Sequence, residues 1–261
     1  MKKLLKKTIK KTINRIGYKI LKNENYNELV VNRISNTYAK NNLLDNFFNL
    51  LINQNYYPMT IYDIGANKGT WTKECLKYFP SATYYLFEPQ INLKKDIDFL
   101  FSDKKNIQLF SVGVGNTSGE LDFTIHERDD SCSFRFLEEE AIQRGFKQIK
   151  VPIVKLDNFA IEKKLIYPSI LKIDAEGLDL EVLQGAKNLV QKTEIIMIEV
   201  GVMNKNINNS VLKVMEYLDQ IGFRFFDITD LNRPFENNVL WLCEFVFIKK
   251  KGVLDINYLK E

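Results

Sequence analysis

Apolar residues recur along the chain with two different spacings, and the switches between them mark out the elements. An apolar run at 59–64 is followed by a helical pattern near 69–79, and a run at 82–88 by a helical pattern near 90–101. Strands are expected at 107–113 and 120–126, separated by a turn at Gly115 to Gly119. Residues 127–147 are charged and read as loop plus helix, before a strand near 149–154 and a short helix at 156–164. Pro168 precedes an apolar strand at 169–173, followed by a helix at 178–190 and a strand at 194–200. A helix at 210–221 and strands at 223–228 and 241–248 complete the series. Strands alternating with helices predict an α/β fold, with a mostly parallel sheet covered on both faces. No helix separates the last two strands, so that pair is expected to form an antiparallel edge.

Upstream of Pro58 the pattern changes. Leu5, Ile9, Ile13, Ile16 and Ile20 recur at helical spacing, and the first 22 residues carry nine Lys or Arg and no acid. Two readings of this basic amphipathic helix stand. It lies on an anionic membrane surface, as a peripheral contact, or its apolar stripe packs on the domain or on a second copy in a homodimer. An Asn-rich stretch follows, with another helical pattern around Leu43 to Ile52. The expected division is an N-terminal helical extension at 1–57 and one domain at 58–261.

Composition narrows the class. The chain has 261 residues, 45% of them hydrophobic, with eighteen Phe and twelve Tyr, enough for a sizeable core. A net charge of +4 is too mild to imply nucleic acid. Cys75, Cys132 and Cys243 are far apart in sequence and form no CxxC pair, which argues against a zinc site and for reduced thiols in a cytosol. No apolar run reaches the length of a membrane span, and the start of the chain lacks the apolar core of a signal peptide. The abundance of Lys, Asn and Ile suggests an A/T-rich, bacterial genome, and the expected location is the cytoplasm, with the inner membrane face as the option.

The candidate chemistry begins at Ile61 to Trp71, IYDIGANKGTW. A glycine turn at the end of a strand belongs at the carboxyl edge of the sheet, where ligands of open α/β folds bind. Glycine permits close backbone approach, and the following helix presents free N–H groups. The pattern lacks the middle glycine of a dinucleotide fingerprint, which argues against a nicotinamide cofactor. Asp63 before the turn disfavours a phosphate and suits a cationic group. Glu88, ending the next strand, can accept bonds from both hydroxyls of a ribose. A ribose-bearing, cationic, phosphate-free ligand describes S-adenosylmethionine.

Four stretches, DIGANKGTWT, FEPQ, VKLDNF and LKIDAEGLDLEVLQGA, resemble the FkbM-type family of S-adenosylmethionine-dependent methyltransferases from about residue 59 to 200. The resemblance implies a class I methyltransferase fold, Rossmann-like, with a seven-stranded sheet whose last strand is antiparallel. It implies O-methylation of a sugar, glycoconjugate or other small-molecule hydroxyl. Asp63, Gly65, Ala66, Asn67 and Gly69 would line the methionine part of the cofactor, and Glu88 its ribose. Ala175 stands where the family often has Val, and Asp179 where it often has Glu.

An alcohol needs help to lose its proton at neutral pH. Asp174, delivered by the 169–173 strand, and Glu176 two residues on are the candidate bases or acceptor ligands, and Glu176 alternatively caps its helix. His126, the only histidine, enters a polar stretch expected to overhang the same edge. Together His126, Asp174 and Glu176 suit Mg²⁺, though no spacing demands a metal. Ser131 and Ser133 match a serine-rich spot of the family and are expected near cofactor or acceptor. Glu199, ending another strand, is expected to contact acceptor hydroxyls. Trp71 and Phe87 read as core. A cofactor-binding relative without turnover, held at a membrane, is the alternative function.

Overall fold

A computed structural model of the chain describes residues 43–125, 132–134, 136–203 and 208–258. The basic helix expected at 1–22 lies outside the described residues, as do His126 and Ser131.

Seven strands build the main sheet: β1 (Thr60–Ile64), β2 (Thr83–Phe87), β3 (Ile107–Phe110), β7 (Ile170–Ile173), β8 (Ile195–Gly201), β9 (Phe223–Asn232) and β10 (Leu242–Lys249). Their spatial order is β3-β2-β1-β7-β8-β10-β9. All neighbours pair parallel except β10, which is antiparallel to both β8 and β9. This is the class I methyltransferase sheet that the resemblance implied. The late pair does end the sheet, with the reversed strand one place in from the edge and β9 outermost.

Strands buried on both faces must be apolar on both, which is why TIYDI, ILKI and IIMIEVG read as near-continuous runs. Alternation divides their side chains between two cores. Tyr62, Ile64, Leu171, Ile173, Ile196 and Ile198 face one, with Val182, Leu183 and Leu218. Ile61, Ile170, Ile195 and Met197 face the other. Helix α1 (Leu43–Asn53) belongs to this second core, where Phe47, Phe48 and Leu51 are fully buried. Phe48 meets Trp71 at 5.9 Å between ring centroids and Phe79 at 5.5 Å, both edge-on. The compact unit that holds α1 and the sheet runs from Leu44 to Glu261.

The run at 107–113 does not stay in one strand. β3 stops at Phe110, and β4 (Gly113–Gly115) enters a separate sheet of order β4-β6-β5, with β5 at Gly119–Ile125 and β6 at Lys147–Lys155. Its small core holds Phe123, Cys132, Val151 and Ile153. The helix expected at 178–190 is two, α6 (Asp179–Gly185) and α7 (Lys187–Val190). At Gly185 the helix abuts the β4 backbone, where a Cβ would lie 2.0 Å from the Gly115 carbonyl oxygen. The break follows at once at Ala186, whose φ of −120° is not helical. Asp157 then serves the new helix start, accepting from the Asn188 and Leu189 N–H groups at 2.9 Å each. All three cysteines are buried free thiols, and no described helix is long and apolar enough to cross a membrane.

Candidate functional site

The carboxyl ends of β1, β2 and β7 lie side by side, in the registers Ile64 with Phe87 and Ile64 with Ile173. The loops leaving them carry the candidate residues. After β1, Gly65 and Ala66 donate to the Phe87 carbonyl at 2.9 and 3.1 Å, and Asp174 donates its N–H to the Ile64 carbonyl at 2.9 Å. Three loops are thereby fastened at one point.

Gly65 has a φ of +77°, and a Cβ there would lie 1.8 Å from the Asp174 carbonyl oxygen. Gly69 has a φ of +75°, and its Cβ would lie 2.6 Å from the Phe101 ring. The sequence reading assigned these glycines to ligand approach. What occupies the space beside each is the protein's own chain, so close packing of loop on loop and helix on turn requires them. Asn67, at φ 48°, adopts the left-handed conformation that Asn tolerates.

Glu88 closes the second side. Only 4% of its surface is exposed. Oε2 accepts the Asn67 N–H and Oε1 the Gln90 N–H, both at 2.8 Å. Burial pushes the carboxyl upward, against the pull of those two N–H groups. The Gln90 side chain is a third donor, which leaves about one of the carboxylate's four lone-pair positions for a further donor.

These loops surround a cavity of about 620 Å³. Gly65, Ala66, Asn67, Glu88, Asp174 and Glu176 all line it, as the sequence reading expected of a shared site. Phe123, Cys132 and Phe134 line it from the second sheet and the loop beside it. Four expected residues are not among its lining. Gly69 lies below the turn, against Phe101. Asp63 is fully buried, because alternation along β1 turns its side chain to the α1 side of the sheet. There Oδ2 accepts the Thr72 hydroxyl at 2.6 Å. Burial pushes the Asp63 carboxyl upward, opposed by Lys172 and Thr72. Ser133 is buried and bridges by its backbone to Thr124, while its neighbours Cys132 and Phe134 take the cavity side. Glu199 pairs in register with Glu244 of β10, and its carbonyl accepts from Asn209 at 2.9 Å.

One residue escaped the sequence reading. Lys172, in the middle of β7, is 4% exposed and lines the cavity. Its Nζ lies 3.2 Å from Asp174 Oδ2 and 3.6 Å from Asp63 Oδ1. Burial disfavours the ammonium, but Asp174, Asp63 and Glu244 more than offset this and hold it above the usual lysine range. Burial likewise pushes the Glu244 carboxyl up to about 7, against Lys172 and the Thr229 hydroxyl that donates to it at 2.5 Å. Asp174 Oδ1 is buried and has no hydrogen-bond partner. A lone Lys inside an otherwise apolar buried strand was the available clue, since lysine is almost never fully buried unless paired.

The turn that presents Asp174 and Glu176 is tied from behind. Asp179, 1% exposed, accepts the Ala175 N–H at 2.9 Å and the Gly177 N–H at 3.3 Å. It also accepts from Asn209 at 2.9 Å. Asp179, in the position where the family often has Glu, therefore fastens this turn. Glu176 itself has a φ of 51°, a conformation costly for a non-glycine residue and found mostly where surroundings enforce it. Among the described residues no group of three His, Cys, Asp or Glu is arranged to hold a metal ion.

These features fit a nucleoside-bearing cation: a cavity of sufficient size, a buried carboxylate acceptor at Glu88, and a second carboxylate on the wall at Asp174. A family model described as the methyltransferase FkbM domain matches residues 63–225. A 2-O-methyltransferase, NoeI, of Sinorhizobium fredii is 27% identical over 150 residues, 53% of this chain and 62% of that protein. Among solved structures, a precorrin-6y C5,15-methyltransferase from Geobacter metallireducens aligns with a TM-score of 0.42 at 10% identity, over 77% of this chain and 87% of that one. The fibrillarin pre-rRNA processing protein of Methanococcus jannaschii aligns with a TM-score of 0.45 at 16% identity, over 74% and 66%.

Proposed function

The chain belongs to the FkbM-domain methyltransferases, and from that premise we propose that it is an S-adenosylmethionine-dependent O-methyltransferase acting on a hydroxyl of a sugar or glycoconjugate. The observation that carries the reading is Asp174, whose carboxylate lines the cavity at the carboxyl end of β7 with Oδ2 held by Lys172. Transfer to an oxygen is supported by the 2-O-methyltransferase relative, and the sugar class by the family resemblance. S-adenosylmethionine, when bound, supplies a methyl carbon on a sulfonium leaving group.

The chain's own residues do the rest. Glu88 accepts a ribose hydroxyl with the lone pair that Asn67 and Gln90 leave open. The Gly65 to Asn67 turn forms the wall beside it. Asp174 accepts the acceptor's hydroxyl, fixes its direction and takes its proton as the new O–C bond forms. Glu176, on the same strained turn, faces the same cavity and hydrogen-bonds a neighbouring acceptor hydroxyl. Phe134 and Phe123, with ring centroids 4.7 Å apart, offer an apolar face from the second sheet that excludes water.

Replacing Glu88 by Gln removes one charge and one acceptor position while keeping the shape. S-adenosylhomocysteine should then bind roughly 10- to 100-fold more weakly by calorimetry, the value of a charge-assisted hydrogen bond. Unchanged affinity would remove Glu88 from the cofactor site. The reading as a whole is tested with methyl-labelled S-adenosylmethionine and a panel of free sugars, nucleotide sugars, lipid-linked glycans, simple alcohols and amines. Label on a sugar hydroxyl supports it. Label confined to an amine or to a non-sugar alcohol overturns the acceptor class.

A further inference from the structure

We propose that Lys172 is the positioning residue of this site: it grips Asp174 by Oδ2 and so fixes the carboxylate at the cavity wall for the acceptor hydroxyl. The inference rests on the reading of Asp174 given above. It starts from cost. A lysine in the middle of a four-residue buried strand loses its hydration and replaces an apolar side chain that would pack at no electrostatic expense. Such a residue persists where its charge has work that an apolar residue cannot do.

The contacts show what that work is. From Nζ, one carboxylate lies at 3.2 Å on the cavity side and the other at 3.6 Å on the core side. Asp63 is in turn held by the Thr72 hydroxyl. β1 and β7 are adjacent, with Asp63 and Lys172 in register, so the backbone ladder fixes the spacing of the pair. The chain Thr72, Asp63, Lys172, Asp174 therefore runs from a helix under the sheet to the cavity. Each member uses one contact to be held and one to hold the next. At its end Asp174 Oδ2 is engaged and the carboxylate is set against the cavity.

The same cation governs charge. Asp174 shares its surroundings with Asp63 on β1, Glu244 on β10, Glu88 after β2 and Glu176 on its own turn, and Asp230 on β9 lies beyond Glu244. Lys68 lines the cavity from the glycine turn. Among these groups Lys172 is the cation in contact with Asp174, and without it a set of desolvated carboxylates would face one another. Like charges and desolvation both favour protonation, so a base in that position would stay protonated to higher pH.

The test uses the full chain with Lys172→Met, Lys172→Arg and the charge-neutral pair Asp63→Asn/Lys172→Met. The pair guards against misfolding of the single variant, in which a buried carboxylate loses its partner. Two readouts are taken: the pH profile of methyl transfer, and the titration of ¹³C-carboxyl aspartate resonances identified by their loss in Asp63→Asn and Asp174→Asn. In Lys172→Met, or in the pair if the single variant does not fold, turnover should fall about 100-fold with the affinity for S-adenosylhomocysteine within about threefold, as for a lost general base. The acid limb and the Asp174 resonance should both move up by about one pH unit or more. Lys172→Arg, which keeps the charge, should recover most of the turnover. Turnover within about threefold of wild type in the folded Met variants, or an unmoved acid limb with an unmoved resonance, overturns the proposal. A wild-type chain that methylates no acceptor sinks the functional reading above, while the aspartate titration still decides the role of Lys172.

Discussion

Asp174→Asn should lower turnover about 1,000-fold while leaving cofactor binding within about threefold, the pattern of a lost proton acceptor in the middle of the range for general-base catalysis. The reasoning is geometric. Asparagine keeps the size of the side chain and its backbone ties, so the N–H to Ile64 and the turn pinned by Asp179 survive. What disappears is the basicity of the carboxylate at the cavity wall. Loss confined to kcat places the interaction in the transition state, whereas a loss shared with KM would mean that Asp174 only holds the acceptor. Glu176→Gln, measured beside it, should cost less than about tenfold, the scale of a single hydrogen bond to substrate. If Asp174→Asn keeps more than a tenth of wild-type turnover and Glu176→Gln does not, the two roles are reversed. The substitution also leaves Lys172 with Asp63 as its remaining partner among the two carboxylates at its ammonium. The melting temperature should accordingly be recorded, so that a folding loss is not read as a catalytic one.

Much of this site was legible in the chain because parallel α/β folds write their strands as apolar runs and gather ligand residues where those runs end. Gly65, Ala66, Asn67, Glu88, Asp174 and Glu176 follow from that rule and share one cavity. The exceptions have physical causes. Asp63 sits inside its strand, one residue short of the end, and its fully buried carboxyl is held by Thr72 of the following helix. Ser133 lost its place by one-residue parity relative to Cys132 and Phe134. The second sheet was hidden because β4 is three residues long and pairs with β6, more than thirty residues later. A pairing of that sequence separation leaves no local trace. The split of the 178–190 helix depends on the contact between Gly185 and the Gly115 backbone, another distant event. Lys172 was visible and unread. Its meaning depends on Asp63 in the adjacent strand, and the register of two strands is a tertiary fact.

Gly65→Ala is expected to remove stability and activity together, and how it does so discriminates two accounts of the glycine turn. At a φ of +77° an added Cβ costs about 1 kcal/mol from backbone strain alone. The collision at 1.8 Å with the Asp174 carbonyl oxygen is with backbone, which cannot step aside as a flexible side chain can. Relief requires β1 and β7 to part at the point where Asp174 donates to Ile64, and overpacking of this kind costs about 1–3 kcal/mol more. A total of about 3 kcal/mol corresponds to a fall in melting temperature of roughly 6–12 °C for a domain of this size. The fall should be present without any cofactor, because the colliding atom belongs to the protein. If the glycine served the ligand alone, the ligand-free variant would melt like the wild type and only its affinity for S-adenosylhomocysteine would suffer. A destabilised ligand-free variant with Asp174 displaced means that the glycine first builds the base's position and only then the cofactor's wall. The spacing of Asp63, Gly65 and Glu88 in this chain would then be set by the fastening of three loops to one another, with the ligand using the surface that the fastening creates.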